Sequence, residues 1–119
     1  MKRYPLRDTK MLVINRKTAK KIPIKDILYL RANSNYTYFV MLSGKTFLVS
    51  HSIKYYEDFL TNIHFVRVHR RYILNTLYVP LVEMEEISLI NGESIAVSRR
   101  YWKVIKNTFE HKKRVMASS

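Results

Sequence analysis

The chain contains no cysteine, so a disulfide framework and thiolate metal sites are both excluded. Glycine is nearly as scarce: two in 119 residues rules out a glycine-rich phosphate loop and leaves most turns to Asn, Asp and Ser. Proline, three in all, is also scarce and leaves the turns to the same residues. No apolar run approaches the roughly 18 residues of a membrane-spanning helix, and no apolar segment follows the basic start MKRYPLRDTK, as a secretory signal would require. Together with the missing cysteine, this points to a cytoplasmic protein. Acidic residues are few as well: nine Asp and Glu face 22 Lys and Arg, a net charge of +13. That imbalance says nothing about fold, but it directs attention to polyanionic partners such as nucleic acid or an anionic membrane surface.

What is present is a core. The chain is 47% hydrophobic, too apolar for disorder, and its length suits one domain over residues 1–119. Residues 1–10 read as a basic arm and 113–119 as a frayed tail. Between them β-type patterning dominates. Met11 to Asn15 is a short apolar strand, RKTAKK (16–21) a charged turn, and Ile27 to Leu30 a buried strand. The polar run RANSN (31–35) reads as a loop. YTYFVML-SG-KTFLV (36–49) is the clearest hairpin, and Ile87–Ile90 with Ser94–Val97 around Asn91-Gly92 is a second. Ser50 or Ser52 can cap a helix over 53–60, with Ile53, Tyr56, Phe59 and Leu60 on one face. A second β region begins over 77–84 with Pro80 at an edge or bulge, and Glu83, Glu85 and Glu86 form one acidic patch. A last helix runs from Ser98 to about Lys112, with Tyr101, Val104, Ile105, Thr108 and Phe109 in register. The expectation is a mainly β, antiparallel domain of six to eight strands with two short helices.

Three polar clusters stand out. FVRVHRRYILN (65–75) begins as a strand, with Val66 and Val68 on one face, and then sets Arg70 and Arg71 side by side. Arg67, His69, Arg70 and Arg71 repel one another unless an anion lies among them. A solvated strand end accounts for any one of these arginines; the whole cluster, in so basic a chain, favours an anionic partner. The second cluster is Ser98-Arg99-Arg100, where two cations occupy a first helical turn that the helix dipole disfavours by about 0.3–1 kcal/mol each. Exposed arginines near a turn explain this too, unless a fold brings them beside Arg70 and Arg71. The third is Asn33-Ser34-Asn35-Tyr36, either plain turn residues or hydrogen-bonding groups suited to base edges. The nine tyrosines fit sheet packing, since a stacking platform for single strands needs several exposed on one face.

Catalysis finds no footing. His51, His64, His69 and His111 lack metal-ligand spacing, the three glutamates read as a solvated strand edge, and no cofactor motif occurs. His69, beside arginines, is expected to be neutral.

Taken in order, IxYLRANSNYTYFVML-SG-K, IKYYEDFL, FVRVHRRYILN and ISLINGESIAVSRRYWKVI resemble the LytTR DNA-binding domain of bacterial transcription regulators, over roughly Lys21 to Phe109. The most specific pieces are the F-x-R-x-H-R run (Phe65, Arg67, His69, Arg70) followed by Asn75, and NG-x-x-I-x-V-S-R-R from Asn91 to Arg100. The resemblance implies an elongated antiparallel β fold of several small sheets, without catalysis or cofactor, that sets loops into successive major grooves of bent duplex DNA. It implies base contacts from Asn35, Tyr36, Arg70 and Arg100, and backbone contacts from His69, Arg71, Asn75, Ser98 and Arg99. Lys45, with Lys20, Lys21 and Lys54, would neutralise further phosphates. Arg71 departs from the small serine usual in the family and suggests tighter backbone contact or a different base preference. Such domains often follow a receiver domain and often occupy direct-repeat promoter sites, so the expectation is a monomer when free and two copies per DNA site. An RNA-binding or ribosome-associated basic β module is the main rival, and a basic face for anionic lipid the second.

Overall fold

The β-branched and aromatic run from Ile27 to Val49 folds back on itself twice, and the rest of the molecule is built on the result. In a computed structural model, which describes residues 10–60, 64–83 and 86–109, it forms β3 (Ile27–Asn33), β4 (Tyr36–Met41) and β5 (Thr46–Val49). Two strands from the arginine-rich stretch, β6 (Phe65–His69) and β7 (Tyr72–Asn75), complete a five-stranded antiparallel sheet in the order β5-β4-β3-β7-β6. Because β5 and β6 are opposite edges, the connection must cross the sheet, and α1 (Ile53–Leu60) makes that crossing.

Both faces of this sheet are covered. On one, α1 and the hairpin of β1 (Met11–Asn15) with β2 (Lys20–Pro23) enclose Ile27, Leu30, Phe39, Phe65 and Ile73. On the other lies a three-stranded sheet of β8 (Leu81–Val82), β9 (Glu86–Ser88) and β10 (Ser94–Ala96). Helix α2 (residues 102–109) joins it over Leu28, Val40, Val66, Val68 and Leu74. Ile27 and Leu30 therefore enter one core and Leu28 and Tyr29 the other, across a bulge in the pairing of β3 with β4, which is why Ile27-Leu28-Tyr29-Leu30 is apolar without a break. Ile105 and Phe109, one helical turn apart, pin α2 and contribute roughly 1.5–3 kcal/mol each by burial.

The described residues contain ten strands, more than six to eight, because the end of the charged turn pairs as β2 and the stretch 65–75 folds as two strands, β6 and β7; the polar residues Arg31 to Asn33 continue β3. Only Ser34 and Asn35 turn, with Ser34 in a left-handed conformation (φ 59°). Around the two glycines the loops are longer by one residue than a two-residue turn. The Met41 amide donates to the Lys45 carbonyl and the Leu89 amide to the Glu93 carbonyl (both 2.9 Å), so three residues turn and the glycine comes third. Gly44 (φ 94°) and Gly92 (φ 93°) supply the positive φ that this loop needs. Phe59 does not share the buried face of α1; Ile53, Tyr56 and Leu60 do. Val104 and Thr108 likewise face outward on α2, which buries only the stripe through Ile105 and Phe109. The arm up to residue 9, Glu85 and the tail from residue 110 lie outside the described residues. No helix among the described residues is long and apolar enough to cross a membrane.

Candidate nucleic-acid interface

Since β3 and β7 are antiparallel neighbours, the turn leaving β3 and the turn entering β7 emerge from the same end of the sheet. The Ala32 amide donates to the Arg71 carbonyl (2.8 Å), and the Arg71 guanidinium reaches back to the Ala32 carbonyl (3.4 Å). The Ser98-Arg99-Arg100 cluster arrives from the other sheet. The Ser98 amide donates to the Val68 carbonyl (3.4 Å), and the 3-10 turn Arg99–Tyr101 packs against β6. Segments distant in sequence thus share one rim. Asn35, Tyr36, Arg70, Arg71, Arg99 and Arg100 are exposed there, and His69 and Ser98 are half-buried.

The turn between β6 and β7 is tightly organised. A bulge between Arg67 and His69 shifts the register, so that His69 pairs with Tyr72 and only Arg70 and Arg71 turn. The His69 Nδ1 accepts from the Arg71 amide (3.1 Å), which leaves the proton of the neutral ring on Nε2 as a donor. Burial, and then the charges of Arg70, Arg71 and Arg67, hold the imidazole below its ordinary pKa, so the neutral form is the one present.

The anion that the cationic cluster requires comes partly from within. Arg67 pairs with Glu57 of α1 (2.6 Å), which removes one of the three arginine cations from the contest. Nothing in the sequence announced this partner, since Glu57 sits on a helix that reaches β6 only through the crossing connection. At the start of the last helix Ser98 occupies the capping position, but its hydroxyl makes no capping bond; its carbonyl accepts from the Tyr101 amide (2.9 Å).

Asn75 and the four lysines expected to meet phosphates, Lys20, Lys21, Lys45 and Lys54, are not brought to this rim. Asn75 is buried, 1% exposed, and its amide is used by the fold: Nδ2 donates to the Ile27 carbonyl (2.9 Å) and Oδ1 accepts from the Leu77 amide (3.0 Å). An enclosed amide with both ends engaged has nothing to offer a phosphate. Lys45 follows the turn at the opposite end of β4, about 20 Å away by strand rise. There it lines a cavity with Lys20 and Lys21. Lys54 is on the outside of α1, 3.7 Å from Asp58. Of the aromatics among the described residues only Tyr36 and Phe59 are exposed, one at the rim and one on α1, so they form no shared stacking surface.

Residues 17–110 match the model of the LytTr DNA-binding domain. The chain is 26% identical over 87 residues to the sensory transduction protein LytR of Staphylococcus haemolyticus (strain JCSC1435), covering 69% of this chain and 34% of that protein. It therefore spans about a third of that relative's length. A solved structure of the LytTr DNA-binding domain from Bacillus cereus, of a protein assigned as a methyl-accepting/DNA response regulator, matches with a TM-score of 0.71. The identity is 22%, over 83% of this chain and 95% of that one, which establishes the shared fold.

Proposed function

Because this chain belongs to the LytTr DNA-binding domain family, we propose that it regulates bacterial transcription by holding the arginine-bearing end of its five-stranded sheet against duplex DNA. The single observation that carries this reading is the convergence of three loops, 33–36, 69–71 and 98–100, on one rim. Each loop is braced by backbone hydrogen bonds, and each carries an exposed group able to reach a base edge.

In this reading Asn35, Tyr36, Arg70 and Arg100 enter successive major grooves and contact bases. An arginine held in this way reads guanine O6 and N7 with its planar fork, and each such pair discriminates by about 1–3 kcal/mol. Arg71, Arg99, Ser98 and the Nε2–H of neutral His69 contact the phosphates that flank each groove and set the register. Asn75 and Lys45 have no part at this surface. The target is a pair of direct-repeat promoter sites in a bacterial cytoplasm, with one copy of the domain on each repeat and a monomer when free. The reading assigns the chain no catalysis and no cofactor.

Duplex DNA is favoured over single-stranded RNA because the tyrosines are mostly packed against the sheets, where they cannot offer a stacking platform. Selection of binding sites from a random duplex library, followed by competition with single-stranded RNA at equal salt, tests the proposal. A recurrent motif repeated at a fixed spacing and poor competition by RNA are expected. Enrichment without any motif, or RNA displacing duplex, would refute it.

A further inference from the structure

Arg67 is the most heavily engaged cation in the described structure, and its engagements lead to both arginine loops. Its Nη1 donates to Glu57 Oε1 (2.6 Å), its Nε to the His69 carbonyl (2.8 Å) and its Nη2 to the Arg70 carbonyl. The guanidinium also lies 5.8 Å from the centre of the Tyr101 ring, and the Arg100 guanidinium lies 5.7 Å from the centre of the same ring. The side chain is 13% exposed and its partner Glu57 24%.

Resting on the DNA-binding reading, we propose that Arg67 is the positioning residue that fixes Arg70 and Arg100 relative to each other, and that it does so without touching DNA. The geometry calls for arginine in particular. A rigid planar fork can meet a carboxylate and two carbonyls in fixed directions at once, whereas an ammonium on a flexible stem cannot hold three such directions. By binding the carbonyls of His69 and Arg70, Arg67 sets the peptide planes of the turn and leaves the Arg70 side chain exposed. By facing Tyr101 it meets the ring on which Arg100 also rests, so one guanidinium spans the two loops. Glu57 neutralises it, and a neutralised, largely enclosed cation has little left to give a phosphate. Loops held in place before the duplex arrives lose less freedom on binding, which favours the correct site over a random one.

The experiment compares the affinity of the whole chain for its selected duplex and for a scrambled one across a salt series, with Glu57→Gln, Arg67→Gln and Tyr101→Leu. The preference for the selected duplex is expected to fall about tenfold or more in Arg67→Gln, on the scale of one lost arginine–guanine contact. It should fall less in Glu57→Gln, and the dependence of log Kd on log salt should keep its slope in both, because no phosphate contact is lost. A slope reduced by about one in Arg67→Gln means a direct phosphate contact, and overturns the proposal; so does an unchanged preference in a folded variant. Should Arg67→Gln fail to fold, Tyr101→Leu decides, since it leaves no carboxylate without its partner. Arg70→Ala and Arg100→Ala should be non-additive in the native background and additive beside Tyr101→Leu; additivity in both backgrounds, or coupling unchanged by Tyr101→Leu, overturns the proposal. A native chain without any preference for the selected duplex sinks the DNA-reading proposal itself, a result separate from all of these.

Discussion

Ser98 and Val68 are joined through their backbones, amide to carbonyl at 3.4 Å, and this bond sets the segment carrying Arg99 and Arg100 beside the strand that leads to Arg70. Arg70 and Arg100 therefore stand exposed on one rim. Replacing either with alanine is expected to remove about 1–3 kcal/mol of preference for the selected duplex. The salt slope should fall by only about one unit in each. Titrations on selected and random duplexes measure both quantities, and a native ratio in both variants would refute base reading by these residues.

Lys45 and Arg71 offer a contrast of position at equal charge. Arg71→Ala should flatten the salt dependence by about one unit, whereas Lys45→Ala, at the far end of β4, should leave it unchanged. Equal flattening in the two variants would show that the duplex reaches well beyond the rim, and an unchanged slope in both would show that Arg71 meets no phosphate.

Asn75 holds the fold together instead. Asn75→Ala deletes the donor to the Ile27 carbonyl and the acceptor for the Leu77 amide. A loss of about 1–3 kcal/mol in stability is expected, read by urea denaturation. The preference among duplexes should not change at temperatures where the variant is folded.

His69 gives a signed pH effect. Its folded pKa lies below the ordinary 6.5, so between the two values the unfolded chain binds more protons. Its contribution to stability is full above pH 6.5 and is lost as the pH falls below that value toward the folded pKa. His69→Asn retains an acceptor for the Arg71 amide but cannot titrate. The difference in unfolding free energy between the native chain and this variant should decline on acidification from pH 7.5 to 5.5. A difference that is flat with pH would contradict the depressed imidazole.

At Gly44 and Gly92 an added methyl group meets open space, so alanine is penalised only for its backbone conformation. A loss of about 1 kcal/mol each is expected on replacement, seen as a lower midpoint of thermal unfolding. A neutral result at either would mean that its loop relaxes to another turn.

Local rules served well wherever a segment's fate is decided by itself. The hairpin through Gly44 and the helix over 53–60 follow from alternation and helical spacing alone, and β6 was legible from Val66 and Val68. Asn75 was assigned to DNA only by resemblance, and it takes the folded chain to show the Ile27 carbonyl set opposite its amide. Arg31 to Asn33 looked like a loop because strand ends near a solvated rim need no apolar residues; their pairing with Tyr36 to Tyr38 holds them extended. Phe59 resembled a core residue by spacing, yet α1 buries a narrower stripe. The pairing of Glu57 with Arg67 was invisible because it depends on where a crossing helix comes to rest. Residue types and turn chemistry marked the three clusters; only the sheet order showed that they share a rim.

Covering the central sheet on both sides separates what keeps the molecule folded from what it recognises. Exposed positions at the loop tips, such as 34–36, 70–71 and 99–100, can change without disturbing either apolar layer. Under the proposed reading, target preference can drift at those tips while the fold is kept, and a library randomised there should return mostly folded proteins with new targets.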